Sequence, residues 1–151
     1  EEQIGCLVWS PLAGGYLSGK YGPDSSKMSG EADGRRKTFD FPPLDKARAD
    51  KLIEAMRPIA KAHGVSVARV ALAWVRSKPF VTTTIIGAKT LAQLNDNLEA
   101  VNLVLSPEDI AALDAVSAER AQYPHWMITR NNSTRVPTGE PVQMNGAPPK
   151  N

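Results

Sequence analysis

Two short runs, each followed at once by a glycine-bearing loop, limit what this chain can fold into more than any other feature. The first, residues 4–9 (Ile-Gly-Cys-Leu-Val-Trp), stops at Ser10-Pro11, where proline has no N–H to give a sheet ladder. The second, residues 81–86 (Val-Thr-Thr-Thr-Ile-Ile), is β-branched throughout, which suits a pleated strand. An unbroken apolar run such as the first predicts a strand buried on both faces of a parallel sheet. Between the two runs the period changes to that of a helix. Leu52, Ile53, Met56, Ile59 and Ala60 recur on one side, with Lys51, Glu54, Arg57 and Lys61 opposite. Pro58 predicts a kink in this helix and Gly64 its end. Ser66 is placed to cap a second helix facing inward through Val67, Val70, Ala71, Trp74 and Val75, and closed by Pro79. Strand, helices, strand is a βα repeat, and it requires a crossover and parallel pairing.

After the second strand come Gly87-Ala88-Lys89. Thr90 and Gln93 have the spacing of a capping box, opening a helix through Leu94, Asn97 and Leu98. Ser106-Pro107-Glu108-Asp109 opens a last helix, with a serine cap, a proline in the first turn and acids against the helix dipole. Its expected buried residues are Ile110, Leu113 and Val116. Beyond about residue 118 the pattern becomes irregular. The expected division is a folded part over 1–130, containing an irregular surface loop at 22–44, and a mobile tail at 131–151 rich in Asn, Pro, Gly and Thr. Two strands cannot make a parallel sheet that is covered on both faces, so further strands are expected from elsewhere. The opening Glu1-Glu2-Gln3, which leads almost directly into a strand, agrees with a piece of something longer.

Composition narrows the function classes. A net charge of +2 from interspersed acids and bases gives no strong attraction to nucleic acid or to an anionic membrane. No apolar run is long enough to span a bilayer. One cysteine, Cys6, excludes an intrachain disulfide and fits a reducing compartment, so a cytoplasmic location is expected. Neither His63 nor His125 has neighbours at metal-ligand spacing. Cys6 reads as a small core residue and His63 as a favourable end to its own helix.

The chemistry is expected in the two loops. Ligands in α/β folds and (β/α)8 barrels bind at the carboxyl ends of strands, where both loops lie. Glycine lets backbone N–H groups come close to a phosphate. The second loop also feeds a helix N-terminus, which favours anions. Lys89 there opposes the helix dipole, a poor choice for stability but a good one beside a phosphate; its bland alternative is a solvated turn lysine. Capping alone would explain Thr90 and Gln93, although Gln93 could cap and also meet a nucleotide. Gly14 to Lys20 imitates a phosphate-binding P-loop, but Tyr21 stands where that motif needs Ser or Thr, and Gly22-Pro23 follow in place of a helix. Trp9 offers either core packing or a flat face for a planar ring. Tyr123 and Trp126 either pin the chain end or line a substrate pocket.

These segments resemble the aldo-keto reductase family. Residues 9–21 (Trp-Ser-Pro-Leu-Ala-Gly-Gly-Tyr-Leu-Ser-Gly-Lys-Tyr) resemble its segment around the seventh barrel strand. Ile86-Gly87-Ala88-Lys89-Thr90, with Gln93-Leu94 and Asn97-Leu98, resembles the segment after the eighth. The resemblance runs to about Trp126. It implies part of a (β/α)8 TIM barrel and reduction of aldehydes or ketones by hydride transfer from NADP(H). The resemblance implies that Pro11 is among the cofactor-binding residues, that Trp9 stacks on the nicotinamide and that Ser10, Leu12 and Gly14 line the pyrophosphate. Lys20 closes over it, with Arg35 or Arg36 as a further contact. By the same resemblance Lys89 and Thr90 grip the 2′-phosphate, Gly87 is a further cofactor-binding residue, and Gln93, Asp96 and Asn97 hold the adenosine end. Tyr123 and Trp126 would face a small carbonyl substrate. The family's catalytic Asp, Tyr, Lys and His tetrad lies on earlier strands, so no catalytic residue is expected here. The missing barrel portion, or a partner chain, is the implied partner; the isolated chain is expected to be inactive. Some relatives of this fold are ion-channel subunits, so a non-catalytic nucleotide-sensing role is the alternative.

Overall fold

A computed structural model describes residues 4–21, 41–118, 123, 124, 126 and 127. Most of the long loop expected at 22–44, and the tail expected at 131–151, fall outside the described residues. The elements in order are strand β1 (Cys6–Trp9), a 3-10 segment (Ala13–Ser18), helix α1 (Lys46–His63), helix α2 (Val67–Arg76), strand β2 (Val81–Ile85), helix α3 (Leu91–Leu98) with a 3-10 extension (Glu99–Val101), and helix α4 (Pro107–Ser117). All belong to one compact unit, 1–118; residues 119–151 form a second unit, in which the Met127 N–H bonds the Pro124 carbonyl at 3.0 Å.

β1 and β2 pair in parallel, with Leu7 opposite Thr83, Val8 opposite Thr84 and Trp9 opposite Ile85. Cys6 is opposite Val81, so Thr82 is an extra residue in β2 and the ladder shifts there. Its hydroxyl replaces the lost acceptor, receiving the Cys6 N–H at 3.0 Å. A side chain at Gly5 would press on that hydroxyl, 3.1 Å from the position of its Cβ.

The sheet is not buried on both faces, contrary to the expectation from its sequence. Leu7 is 61% exposed, Trp9 54% and Ile85 49%. α2 packs against β2, but no described element covers the other face. The core lies instead between α1, α2 and α4. Leu52, Met56 and Ile59 meet Val70, Ala71 and Leu113 there, and Leu12 and Leu17 from the first loop pack on the same cluster.

Each helix begins and ends for an identifiable reason. The Asp45 carboxylate accepts the Arg48 N–H at 3.1 Å and opens α1. α1 continues through the exposed Pro58 and stops at Gly64, which adopts φ 64° while Val65 N–H bonds back to the Ala60 carbonyl at 2.9 Å. Ser66 caps α2 as expected. α2 also buries Ala68, Leu72 and Ala73, because it lies between α1 on one side and β2 on the other; Val67, Trp74 and Val75 are only half-buried. α4 carries a full capping box, in which Ser106 Oγ accepts the Asp109 N–H and Asp109 accepts the Ser106 N–H. It packs through Ile110 and Leu113, whereas Val116, expected to be buried, is exposed.

His63 is a basic residue in the last turn of α1, as expected, and it does more than end the helix. It reaches across to Asp109, with Nε2 3.4 Å from Oδ2, joining the end of α1 to the start of α4. Partial burial alone would raise the Asp109 pKa; the two Ser106 hydrogen bonds and His63 outweigh it and hold the carboxyl below its ordinary 3.8. A carboxyl whose pKa is lowered by folding contributes fully above the unfolded value and loses that contribution as pH falls through the lowered one. Urea unfolding between about pH 5 and about pH 2 should therefore show a steeper acid loss of stability in the wild type than in Asp109→Asn. Equal slopes would contradict the assignment.

Candidate functional site

The register that sets Trp9 beside Ile85 brings both loops to one edge of the sheet. The first loop is built from strained and left-handed backbone. Ser10 and Ala13 adopt φ 54° and 50°, and the 3-10 segment is broken at Gly14 (φ 66°) and Gly15 (φ 92°). Such values cost an ordinary residue energy, so they persist only where the surroundings hold them. The Tyr16 hydroxyl donates to Asp50 Oδ1 at 2.8 Å, tying the loop to α1. Tyr16 and Tyr21 stack at 5.1 Å with their planes 5° apart. Gly19 is buried at φ 80°, and a side chain there would crowd Val67 of α2 at 3.1 Å.

The N–H groups of this loop are largely spent within it. Ala13 N–H bonds the Ser10 carbonyl at 2.8 Å, Gly15 and Leu17 N–H bond the Leu12 carbonyl at 2.9 and 3.1 Å, and Gly14 N–H bonds Ser10 Oγ at 3.0 Å. The glycines therefore shape a tight turn, and the N–H groups of Ala13, Gly14, Gly15 and Leu17 are engaged within it. Pro11 is buried beneath the turn, Ser10, Leu12 and Gly14 are half-buried, and Lys20 is exposed at its far end. The indole of Trp9 is exposed and meets Phe41 at 5.7 Å between ring centroids, tilted by 49°.

The second loop retains open donors. Thr90 Oγ1 accepts the Gln93 N–H at 3.2 Å, as a capping box requires. Gln93 Oε1 returns one residue earlier than expected, to the Lys89 N–H at 2.9 Å. Among the described residues, no acceptor meets the N–H groups of Leu91 and Ala92, which open α3. Lys89 and Gly87 are exposed, and nothing lies within 4 Å of where a Gly87 side chain would begin. A cation, unpaired helix-end N–H groups and open space together make a chemically suitable seat for a phosphate. Asp96 and Asn97 lie three and four residues after Gln93, so each neighbours Gln93 on the surface of α3.

Asp96 was expected to face adenosine, and both of its oxygens already hold α2. Oδ2 accepts the Ser66 hydroxyl at 2.5 Å, and Oδ1 accepts Arg69 Nε and Nη2 at 3.2 and 2.8 Å. Ser66 and Arg69 had no assigned part in the site. The signal for Arg69 is weak in the sequence, because a helix arginine is more often solvated than paired. Tyr123 and Trp126 are exposed and belong to the second unit. Among the described residues no cluster of His, Cys, Asp and Glu could hold a metal, and no helix is long and apolar enough to cross a membrane.

Comparison with known proteins identifies the family. The model of the aldo/keto reductase family matches residues 1–118. The protein tas of Escherichia coli K12 is 37% identical over 116 residues, which cover 76% of this chain and 32% of that protein. A probable voltage-gated potassium channel subunit beta of Oryza sativa is 34% identical over 119 residues, 75% of this chain and 35% of that protein. An L-glyceraldehyde 3-phosphate reductase of Escherichia coli O157:H7 is 34% identical over 117 residues, 74% of this chain and 33% of that protein. The chain thus spans about a third of the length of the relatives it matches.

The first loop can be tested for its dependence on backbone geometry. Gly15→Ala places a Cβ in open space but at φ 92°, so it should lower unfolding free energy by about 1–2 kcal/mol through strain alone. Gly87→Ala, with equal space and no left-handed φ, should be neutral. Urea midpoints that fall equally for both would contradict this account of the loop.

Proposed function

The chain belongs to the aldo/keto reductase family, and from that premise we propose that the intact protein is a cytoplasmic, NADP(H)-dependent reductase of aldehydes or ketones, to which this chain contributes the cofactor-binding part. On this proposal β1 and β2 are the seventh and eighth strands of a (β/α)8 barrel, and the earlier strands carry the catalytic tetrad. The observation that carries the proposal is the adjacency of the two loops at the carboxyl ends of paired parallel strands, where barrel enzymes bind their ligands.

The residues present fit NADP(H). Trp9 offers an exposed flat ring for the nicotinamide. Ser10, Pro11, Leu12 and Gly14 supply a rigid turn along the pyrophosphate, with Lys20 as a cation at its end. Lys89, Thr90 and the open N–H groups of α3 suit the 2′-phosphate, and Gly87 leaves room for it. On this proposal Gln93, Asp96 and Asn97 form the adenosine end, with Asp96 engaged by Ser66 and Arg69 and Asn97 buried, which leaves Gln93 as the side chain open to the ligand. When bound, the cofactor supplies the hydride that reduces the carbonyl carbon. The chain's own contribution is to hold and orient it. Tyr123 and Trp126 are proposed to line the carbonyl substrate's side.

The channel-subunit relative supports a second reading, a non-catalytic nucleotide-sensing regulatory subunit of the same fold. The upstream sequence separates the two. An intact Tyr and Lys pair favours the reductase, and loss of that pair favours the sensor.

Lys89→Ala should weaken NADP+ binding about tenfold, the scale of one charge-assisted contact, and leave NAD+ nearly unchanged. Calorimetric titration of both cofactors checks this, and equal losses would remove Lys89 from the 2′-phosphate. The 151-residue chain by itself should not oxidise NADPH with any aldehyde. Measurable turnover would place catalytic residues within it.

A further inference from the structure

α3 carries the proposed adenosine contacts but has little apolar anchoring of its own. Of its eight residues only Asn97 is buried, while Leu91, Leu94 and Leu98 are exposed. α2 holds it through polar side chains at two places. At the start of α2, Ser66 and Arg69 converge on the Asp96 carboxylate. At the end of α2, Arg76 Nη1 donates to the Ala100 carbonyl, just beyond α3, at 3.0 Å. Arg69 and Arg76 are seven residues apart, two helical turns, so both emerge from the same face of α2.

The first of these ties is the more specific. Ser66 Oγ gives its single hydrogen to Asp96 and accepts the Arg69 N–H at 3.0 Å, so the cap of α2 and the tie to α3 share one hydroxyl. Three donors from α2 therefore fix one carboxylate, which defines the rotation of α3 about its axis as well as its distance. An isolated, partly exposed ion pair would be worth little to stability. Here the Arg69 and Asp96 side chains are 23% and 32% exposed, and the geometric constraint matters more than the energy. Because Gln93 precedes Asp96 by three residues and lies beside it on α3, the same tie orients Gln93.

We infer that Arg69 is a positioning residue for the nucleotide end of the site: through Asp96 it sets the orientation in which α3 presents Gln93 and its open N-terminus. The inference rests on the NADP(H) proposal above for the identity of the ligand, but the tie itself can be measured without any ligand.

The test compares the 151-residue wild type with Arg69→Met, which keeps the aliphatic stem, and with Arg69→Lys, which restores one charged donor. Hydrogen exchange is the first readout. In Arg69→Met, exchange should quicken across 91–98 and stay unchanged in α1. Binding is the second, with adenosine 2′,5′-bisphosphate and nicotinamide mononucleotide as separate probes. Arg69→Met should weaken the bisphosphate about tenfold and leave the mononucleotide unchanged, and Arg69→Lys should recover part of the loss. A purely structural role would weaken both probes together. Unchanged exchange in α3, or equal weakening of both probes without recovery by lysine, overturns the inference. If α3 loosens while the wild type itself does not bind the bisphosphate, the NADP(H) reading fails and the mechanical tie stands.

Discussion

The parallel pairing of β1 with β2 is the constraint on which the site depends. A parallel pair places the carboxyl ends of both strands at one edge, so the segments after Trp9 and after Ile85 become neighbours although they are far apart in the chain. An antiparallel pair would have sent them to opposite ends. The crossover through α1 and α2 enforces this arrangement, and α2 also supplies the buried layer on which the sheet rests. The Thr82 irregularity leaves the register intact where it matters, because it lies at the amino end of the strands.

The two loops meet this edge with different physics. The first is rigid because its own hydrogen bonds, its positive φ values and the Tyr16–Asp50 tie hold it against the core. Its N–H groups are mostly satisfied, so its contribution is shape and the exposed Trp9 ring. The second loop has open N–H groups and a lysine, and its contribution is electrostatic. The helix behind it depends on Asp96, Ser66 and Arg69 for its placement. An exposed planar ring at one end and a helix end suited to a phosphate at the other form the division of labour on which the dinucleotide proposal rests.

Much of this was legible in the sequence because the signals are local. Ser66, Thr90, Ser106 and Gly64 mark helix ends that the structure shows, since capping depends on neighbours three or four residues away. The positions of both strands followed from their apolar and β-branched runs. What failed depends on contacts distant in the chain. The two-faced burial expected of β1 was absent because covering a sheet takes other elements. His63 reached Asp109, and Asp96 was engaged by Arg69, through side chains that no spacing rule connects. The closed hydrogen bonding of the first loop follows from its left-handed turns, which a glycine-rich stretch permits without specifying.

The central claim is that both loops belong to one cofactor site with Trp9 at the nicotinamide end, and intrinsic tryptophan fluorescence during titration with NADP+ tests it most directly. The account predicts saturable quenching in the wild type, with most of the signal change lost in Trp9→Phe. Absence of saturable quenching, or quenching of the same size in Trp9→Phe, would contradict it.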